Sequence, residues 1–113
     1  MKYAFTKAKR LLDKKEYEKV FKKSKKIDMP TFFALVSLND QSNARMGFAI
    51  SKKHLPRASE RNRVKRIFRE SFRHEQLKNI DLVVLAKPGL AQLSNHEIRL
   101  DLQVLWQRIN ILV

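Results

Sequence analysis

Apolar residues recur at helical spacing between residues 59 and 73, where they alternate with polar and basic ones. The recurring positions are Val64, Ile67, Phe68 and Phe72. The intervals i, i+3, i+4 and i+8 put these side chains on one stripe of an α-helix. We therefore predict an amphipathic helix over residues 59–73, with Ser59 as its N-cap and Glu60 in the first turn, where an acid is favourable.

Two further segments show the same period. Residues 13–24 predict a short helix, which Asp13 and Glu16 begin in the spacing of a capping box. Its apolar positions are Tyr17, Val20 and Phe21. A last helix begins near Ser94, with Glu97 three residues on in the same spacing. Its apolar positions are Ile98, Leu102, Leu105, Trp106 and Ile109.

Three apolar runs lack this period and predict strands. Residues 31–38 and 45–51 are joined by a polar link at residues 39–43, so we expect a turn and an antiparallel pair. Gly47 lies inside the second strand, which favours a bulge or the close approach of another segment. Residues 80–86 are almost continuously apolar, as is typical of a strand covered on both faces.

The order of these elements is helix, two strands with an optional third, helix, strand, helix, which is typical of an α+β protein. We predict a small open-faced sandwich in one domain, residues 13–113, preceded by a basic arm at residues 1–12 without a clear period. By the general rule for parallel crossovers, the strand–helix–strand unit around residues 59–73 would be right-handed.

Charge narrows the function, because the formal net charge is +14 and the pI is about 10.5. Such a balance favours a polyanionic partner, either nucleic acid or an anionic membrane surface. The excess lies in residues 1–73, where 21 Lys or Arg face 7 Asp or Glu, whereas residues 74–113 hold 4 of each kind. Neither a membrane-spanning run nor a signal-peptide pattern occurs, so we expect a cytoplasmic protein.

The polar side of the helix at residues 59–73 is almost entirely of one sign. It carries Arg61, Asn62, Lys65, Arg66, Arg69 and Arg73, and the preceding loop adds Lys52, Lys53 and Arg57. A merely solvated helix face usually mixes charges at i, i+4, whereas these like charges repel one another without a polyanion. Arg offers a planar fork of donors for phosphate, and Asn suits a sugar or base edge. We interpret this side as a phosphate-binding surface.

The aromatic pair on the first helix has two interpretations. Tyr17 and Phe21 lie one turn apart and could both be core residues. Alternatively, they are partly exposed rings on which the bases of a single strand stack. Helical spacing alone does not decide between the two.

No catalytic set is evident in the sequence. The histidines His54, His74 and His96 are far apart and lack metal-ligand spacing, and the aspartates occur singly rather than as a two-metal cluster. The chain has no cysteine for a thiolate nucleophile or a disulfide, and its two glycines form no phosphate-loop motif. We do not expect this chain to hydrolyse a substrate by itself.

Three basic segments together resemble the bacterial ribonuclease P protein subunit. They are Ser51-Lys52-Lys53, Arg61-Asn62-Arg63-Val64-Lys65-Arg66 and Arg69-Glu70-Ser71-Phe72-Arg73. The Arg-Asn-Arg core with flanking basic residues is the signature of that family, and the Ser-Lys-Lys segment ahead of it makes the resemblance specific. The likeness covers nearly the whole chain, from residues 16–21 through residues 82–87 to the final helix.

This resemblance implies a fold and a function that the residues alone do not establish. The family's fold is a small α+β sandwich with a left-handed crossover, against the general rule. The holoenzyme removes the 5′ leader from precursor tRNA, with the RNA subunit as catalyst, magnesium at the RNA active site and no cofactor on the protein. The partners would be the catalytic RNA, in a 1:1 complex, and the leader, with neither DNA nor a membrane.

The resemblance also assigns residues to two surfaces. The basic motif that faces the catalytic RNA matches Lys52, Lys53, Arg61, Asn62, Arg63, Lys65, Arg66 and Arg69, and the charge pattern adds Arg57 and Arg73. Tyr17 and Phe21 match two aromatic residues that line the leader cleft, and Phe33 with Leu35 would face it if strand alternation holds. The chain departs from the family at His54-Leu55-Pro56-Arg57, where many members have Gly-Asn, and at Tyr17, where Phe is common.

Two other classes of protein stay open at this point. One is a different binder of structured RNA, such as a ribosomal protein. The other is a peripheral membrane protein, which would need an exposed apolar face opposite the basic one. Here the apolar face is better explained as core. Reconstitution with catalytic RNA separates the classes, because only a ribonuclease P subunit would change leader cleavage.

Overall fold

The computed structural model describes residues 14–39, 43–75, 77 and 79–112, and its centre is one sheet of four strands. The strands are β1 (Lys25–Asp28), β2 (Phe32–Leu38), β3 (Arg45–Phe48) and β4 (Ile80–Ala86). The helices are α1 (Lys14–Lys23), α2 (Ala58–His74) and α3 (Asn95–Leu112), and a 3-10 turn spans Leu90–Gln92. The predicted α+β class is therefore confirmed. The predicted arm at residues 1–12 and the proposed cap at Asp13 lie outside the described residues.

The strands lie in the order β1-β2-β4-β3, so the predicted pairing of β2 with β3 is wrong. β4 lies between them, antiparallel to β2 and parallel to β3. The physical reason is in the sequence of β4, whose residues are buried on both faces except Leu85, which is partly buried. Such a strand is stable at the centre of a sheet, whereas a β2–β3 hairpin would leave it at an edge.

Strand β1 was not predicted, because the lysines at its start look like the end of α1. Its burial pattern explains this, since Ile27 alone among its four residues is buried. β1 pairs antiparallel with β2, from Lys25 opposite Val36 to Asp28 opposite Phe33. A short, mostly charged edge strand carries little hydrophobic signal, and charge on an edge discourages pairing with other chains.

The main core lies between the sheet and the two helices α2 and α3. All four predicted stripe residues of α2 and all five of α3 are buried in it. Phe68 is fully buried and meets Phe32 edge to face, with ring centroids 5.0 Å apart. The indole Nε1 of Trp106 donates to Ser71 Oγ at 2.8 Å, which satisfies its polar atom inside the core.

A second, smaller cluster lies on the opposite face of the sheet, under α1. Val20 of α1 and Val83 of β4 are fully buried there. The residues packed around them are only partly buried: Tyr17, Leu35, Ala49 and Leu85. Within the described residues, this face is therefore covered by a helix of 10 residues.

The helix starts test the capping predictions. The capping box of α3 is confirmed: Ser94 N donates to Glu97 Oε1 at 2.9 Å, and Glu97 N donates to Ser94 Oγ at 3.1 Å. The backbone hydrogen bond from Ser94 lowers the pKa of Glu97. The predicted N-cap Ser59 is wrong, because α2 begins at Ala58 and Arg57 is its N-cap, with extended backbone and no side-chain cap bond.

Candidate RNA interface

The predicted basic residues lie on α2, mostly along one side of it, and in the loop that precedes it. Those exposed to solvent are Lys52, Lys53, Arg57, Asn62 and Arg66. Those partly exposed are Arg61, Arg63, Lys65, Arg69 and Arg73. Because the opposite stripe of α2 is buried in the main core, the helix cannot rotate without exposing it. The cations are thus presented from a rigid support.

Arg61 holds the loop between β3 and α2 in place. Its Nη1 donates to the carbonyl oxygens of Leu55 at 2.7 Å and Pro56 at 2.9 Å. Leu55 is fully buried and anchors the loop to the main core. Ser51 fixes the other end, since its Oγ accepts from Lys53 N at 2.9 Å. The loop that departs from the family pattern is therefore held by its own contacts.

Arg63 lies on the other flank of α2, away from the basic stripe. At 100° per residue it is turned by about 200° from Arg61. Its guanidinium donates to Asn95 Oδ1 at 2.6 Å and to the carbonyl oxygens of Ala91 at 3.1 Å and Leu93 at 3.3 Å. Arg63 thus joins α2 to the start of α3. Its predicted RNA contact stays a prediction, and no pattern in the sequence indicated this structural role.

Phe48, the last residue of the edge strand β3, lies beneath two of the cations of α2. The Cζ of Arg69 is 5.4 Å from the centroid of its ring, and the Nζ of Lys65 is 6.0 Å away. Cations within about 6 Å of an aromatic face are attracted to it. The ring therefore orients both side chains toward the β3 edge of the sheet.

The same residue contacts the aromatic helix α1 through its backbone. Phe48 N donates to Tyr17 Oη at 3.2 Å. Tyr17 also lies against Gly47, where an added Cβ would be 2.3 Å from Tyr17 Oη. The close approach expected at Gly47 is thus made by a side chain of α1. Tyr17 is partly buried, whereas Phe21 one turn later is 47% exposed.

The predicted alternation along β2 is confirmed. Phe32, Ala34 and Val36 point into the main core, while Leu35 packs against the small cluster under α1. Phe33 lies on the same face as Leu35 and carries Lys26 Nζ 4.4 Å from its ring centroid. The structure therefore brings the four predicted cleft residues to the side of the sheet that α1 covers. No single interpretation of the first helix suffices, since Val20 is core and Phe21 is exposed.

A buried carboxylate that the sequence analysis missed also lies on this side. Asp81 of β4 is 2% exposed and accepts two hydrogen bonds from Arg45, from Nε at 2.9 Å and from Nη2 at 2.8 Å. Asn39 Nδ2 adds a third at 2.7 Å. The remaining Nη1 of Arg45 pairs with Glu16 of α1. Hydrogen bonding to Asp81 raises the pKa of Arg45. An acid within an apolar run was the one available signal.

Neither a metal site nor a membrane span is found in the part of the chain that the structure describes. Within it, no three His, Asp or Glu side chains are grouped so as to hold a metal ion. No helix among the same residues is long and apolar enough to cross a bilayer.

A small α+β domain with a row of cations on one helix has the surface that is typical of an RNA-binding protein. Comparison with known proteins identifies the kind. The family model described as ribonuclease P matches residues 5–110. The ribonuclease P protein component of Legionella pneumophila (strain Corby) is 44% identical over 107 residues, covering 95% of this chain and 94% of its own. The chain belongs to the ribonuclease P protein family, whose members are accessory subunits of an endoribonuclease.

Solved structures agree with this assignment. The RNase P protein from Thermotoga maritima superposes with a TM-score of 0.78 at 27% identity, covering 88% of this chain and 96% of that one. A mutant RNase P protein from Staphylococcus aureus gives a TM-score of 0.85 at 24% identity, covering 92% and 90%, and supports the fold alone.

Proposed function

We propose that this chain binds two RNAs on two adjoining surfaces of ribonuclease P. The basic surface of α2 and its preceding loop would hold the catalytic RNA, in a 1:1 complex in the cytoplasm. The cleft under α1, formed by Tyr17, Phe21, Phe33 and Leu35, would hold the 5′ leader of precursor tRNA. Hydrolysis, with its magnesium, is assigned to the RNA subunit, and binding and positioning to this chain.

The observation that carries the proposal is the position of Phe48 between the two surfaces. Its ring faces Arg69 and Lys65 of α2, and its backbone N–H binds Tyr17 of α1. One residue at the sheet edge therefore contacts both surfaces. A leader that enters the cleft would lie beside the RNA that the cations hold.

The function is tested first by reconstitution. Catalytic RNA is assayed for leader removal from precursor tRNA at low magnesium, with and without this chain. We expect the chain to accelerate cleavage, because its cations replace part of the screening that magnesium otherwise supplies. Equal rates with a folded chain would refute the function and favour a different RNA-binding role.

The basic surface is tested by its salt dependence. A triple variant of the exposed cations Lys52, Lys53 and Arg66 to Ala should make the negative slope of log K against log salt shallower for catalytic RNA. Its magnitude should fall by roughly 2–3, since each lost phosphate contact contributes about 0.7–0.9. Arg61 is left intact because it holds the loop carbonyls.

A matched control removes as much charge elsewhere. The variant of Lys15, Lys19 and Lys22 to Ala changes three exposed lysines on α1 instead. If both variants reduce the slope equally, net charge rather than the α2 surface governs catalytic-RNA binding.

The cleft is tested at Phe21, the most exposed of its aromatic residues. Phe21→Ala should weaken precursor tRNA binding to the holoenzyme by about 1–3 kcal/mol, the range for base–aromatic stacking. Mature tRNA lacks a leader, so its affinity should stay constant. Val104→Ala on α3, where the side chain is 45% exposed, is the control for loss of an exposed apolar group. Equal weakening toward both tRNAs would place the leader elsewhere.

A further inference from the structure

The ion network at Asp81 joins the sheet to the helix that carries the cleft aromatics. We propose that Arg45 is a positioning residue for leader recognition, which fixes α1 over the sheet by holding Asp81 and Glu16 with different edges of one guanidinium. The proposal rests on the leader cleft described above. It assigns Arg45 and Glu16 a role in substrate preference that does not require either residue to contact RNA.

The orientation of Arg45 is set entirely within the sheet. Arg45 and Asp81 are directly opposite each other in the parallel β3–β4 pair. Two hydrogen bonds, at 2.9 and 2.8 Å, hold the guanidinium by one edge, and Asn39 holds the same carboxylate at 2.7 Å. A guanidinium that donates to both oxygens of one carboxylate has little freedom to turn. Its Nη1 therefore reaches Glu16 from a fixed position.

Helix α1 depends on such contacts because its own packing is small. It has 10 residues, fewer than an isolated helix needs to be stable in water, and Val20 alone is fully buried. Besides that contact, Tyr17 Oη bonds to Phe48 N. The pair with Arg45 adds a further attachment of α1 to the sheet, and Glu16 is next in sequence to Tyr17. A shift of α1 at Glu16 would move Tyr17 and Phe21 together.

The charges of the network also argue for an internal role. Arg45 faces two carboxylates and is mostly enclosed, with 17% of its side chain exposed. It therefore adds little to the attraction of a polyanion. Glu16 is an acid on a strongly basic surface, where it would repel RNA unless a cation neutralised it. Their pairing is consistent with a positioning function rather than with RNA contact.

The test compares two glutamates of the same helix. Glu16→Gln removes the charge that pairs with Arg45 and leaves the Arg45–Asp81 pair intact, which avoids stranding a buried acid. Glu18→Gln is the matched control, because Glu18 is 54% exposed against 22% for Glu16 and pairs with Lys14 at 3.9 Å. Both variants remove one negative charge from α1, so general attraction to RNA rises equally.

We expect Glu16→Gln, relative to Glu18→Gln, to raise KM for precursor tRNA roughly two- to fivefold at constant kcat, the scale of a partly exposed ion pair. Affinity for catalytic RNA should be the same in both variants. Hydrogen exchange should accelerate at the backbone amides of α1 in Glu16→Gln and stay unchanged in α2. Glu16→Asp, which keeps the charge, should recover part of the loss.

Two results would overturn the proposal. Faster exchange in α1 with an unchanged preference for precursor tRNA would make the pair structural only. Equal KM values for the two variants without any change in hydrogen exchange would show that the Glu16–Arg45 pair does not hold α1 on the sheet. Phe21→Ala, measured alongside, tests the proposed cleft itself. If this variant also leaves the preference for precursor tRNA unchanged, the cleft is wrong and the role of Arg45 fails with it.

Discussion

The two faces of the sheet differ in depth of cover. Among the residues that the structure describes, one face is closed by α2 and α3 over a core of 22 buried residues, whereas the other carries α1 over a cluster of two. Apolar burial stabilises in proportion to area, at about 25 cal/mol per Å², so the first face supplies most of the stability. The second face is free to keep aromatic side chains partly exposed. The proposed leader cleft thus lies on the side of the four strands opposite the main core.

The strongest test of this contrast compares Phe68 with Phe21. Phe68→Ala should lower the free energy of unfolding by about 3–5 kcal/mol, because it opens a cavity in the closed core. Phe21→Ala should lower it by about 1 kcal/mol or less, since the ring is half exposed. Urea titrations of both variants measure the difference. Similar losses would mean that the α1 face contributes as much to stability as the main core.

A smaller effect is expected from Gly47 of β3, which lies against Tyr17 of α1. Gly47→Ala places a Cβ 2.3 Å from Tyr17 Oη, so the ring must move. We expect a loss of roughly 1–3 kcal/mol in stability from overpacking, and a weaker preference for precursor over mature tRNA. Catalytic-RNA affinity should be unaffected. Unfolding curves and titrations with the two tRNAs measure both effects. A fall in stability with an unchanged preference for precursor over mature tRNA would contradict this prediction.

The smallest effect falls at the start of α3, on the closed face. Ser94→Ala removes the hydroxyl that accepts from Glu97 N and should cost about 1 kcal/mol in thermal unfolding. It should leave both RNA affinities unchanged. Because the pKa of Glu97 is lowered in the fold, its favourable contribution is present above the ordinary pKa and disappears as the pH falls through the lowered value. Because Ser94→Ala keeps the backbone N–H that is the main cause of the shift, wild type and variant should both lose this contribution in acid.

Local patterns predicted the parts of the fold that depend on neighbouring residues. The buried stripe of α2, the capping box of α3 and the central strand β4 are all set by spacing or composition within one segment. Strand order was missed because a polar turn looks the same whether its strands pair with each other or with a third. The four-residue β1 escaped because one buried isoleucine makes no period.

The candidate site was predictable to the same extent. The charge pattern and the resemblance identified the basic row and the aromatic pair, since these are properties of single helices. The hydrogen bonds of Arg45 and Arg63 cross 36 and up to 32 positions in sequence, and no spacing rule connects such partners. Arg63 was predicted only as an RNA contact, and Arg45 was assigned no role from the sequence.

Arg63 has a consequence for how the Arg-Asn-Arg motif tolerates change. Its three hydrogen bonds fix the chain at the start of α3, so folding constrains position 63 whichever RNA the protein binds. Asn62, one residue earlier, faces solvent and could vary with the partner at little cost to the fold. A lysine at position 63 would keep the charge but lose the planar fork that reaches three acceptors. Adjacent letters of one signature can thus drift at different rates, each under a separate selective pressure.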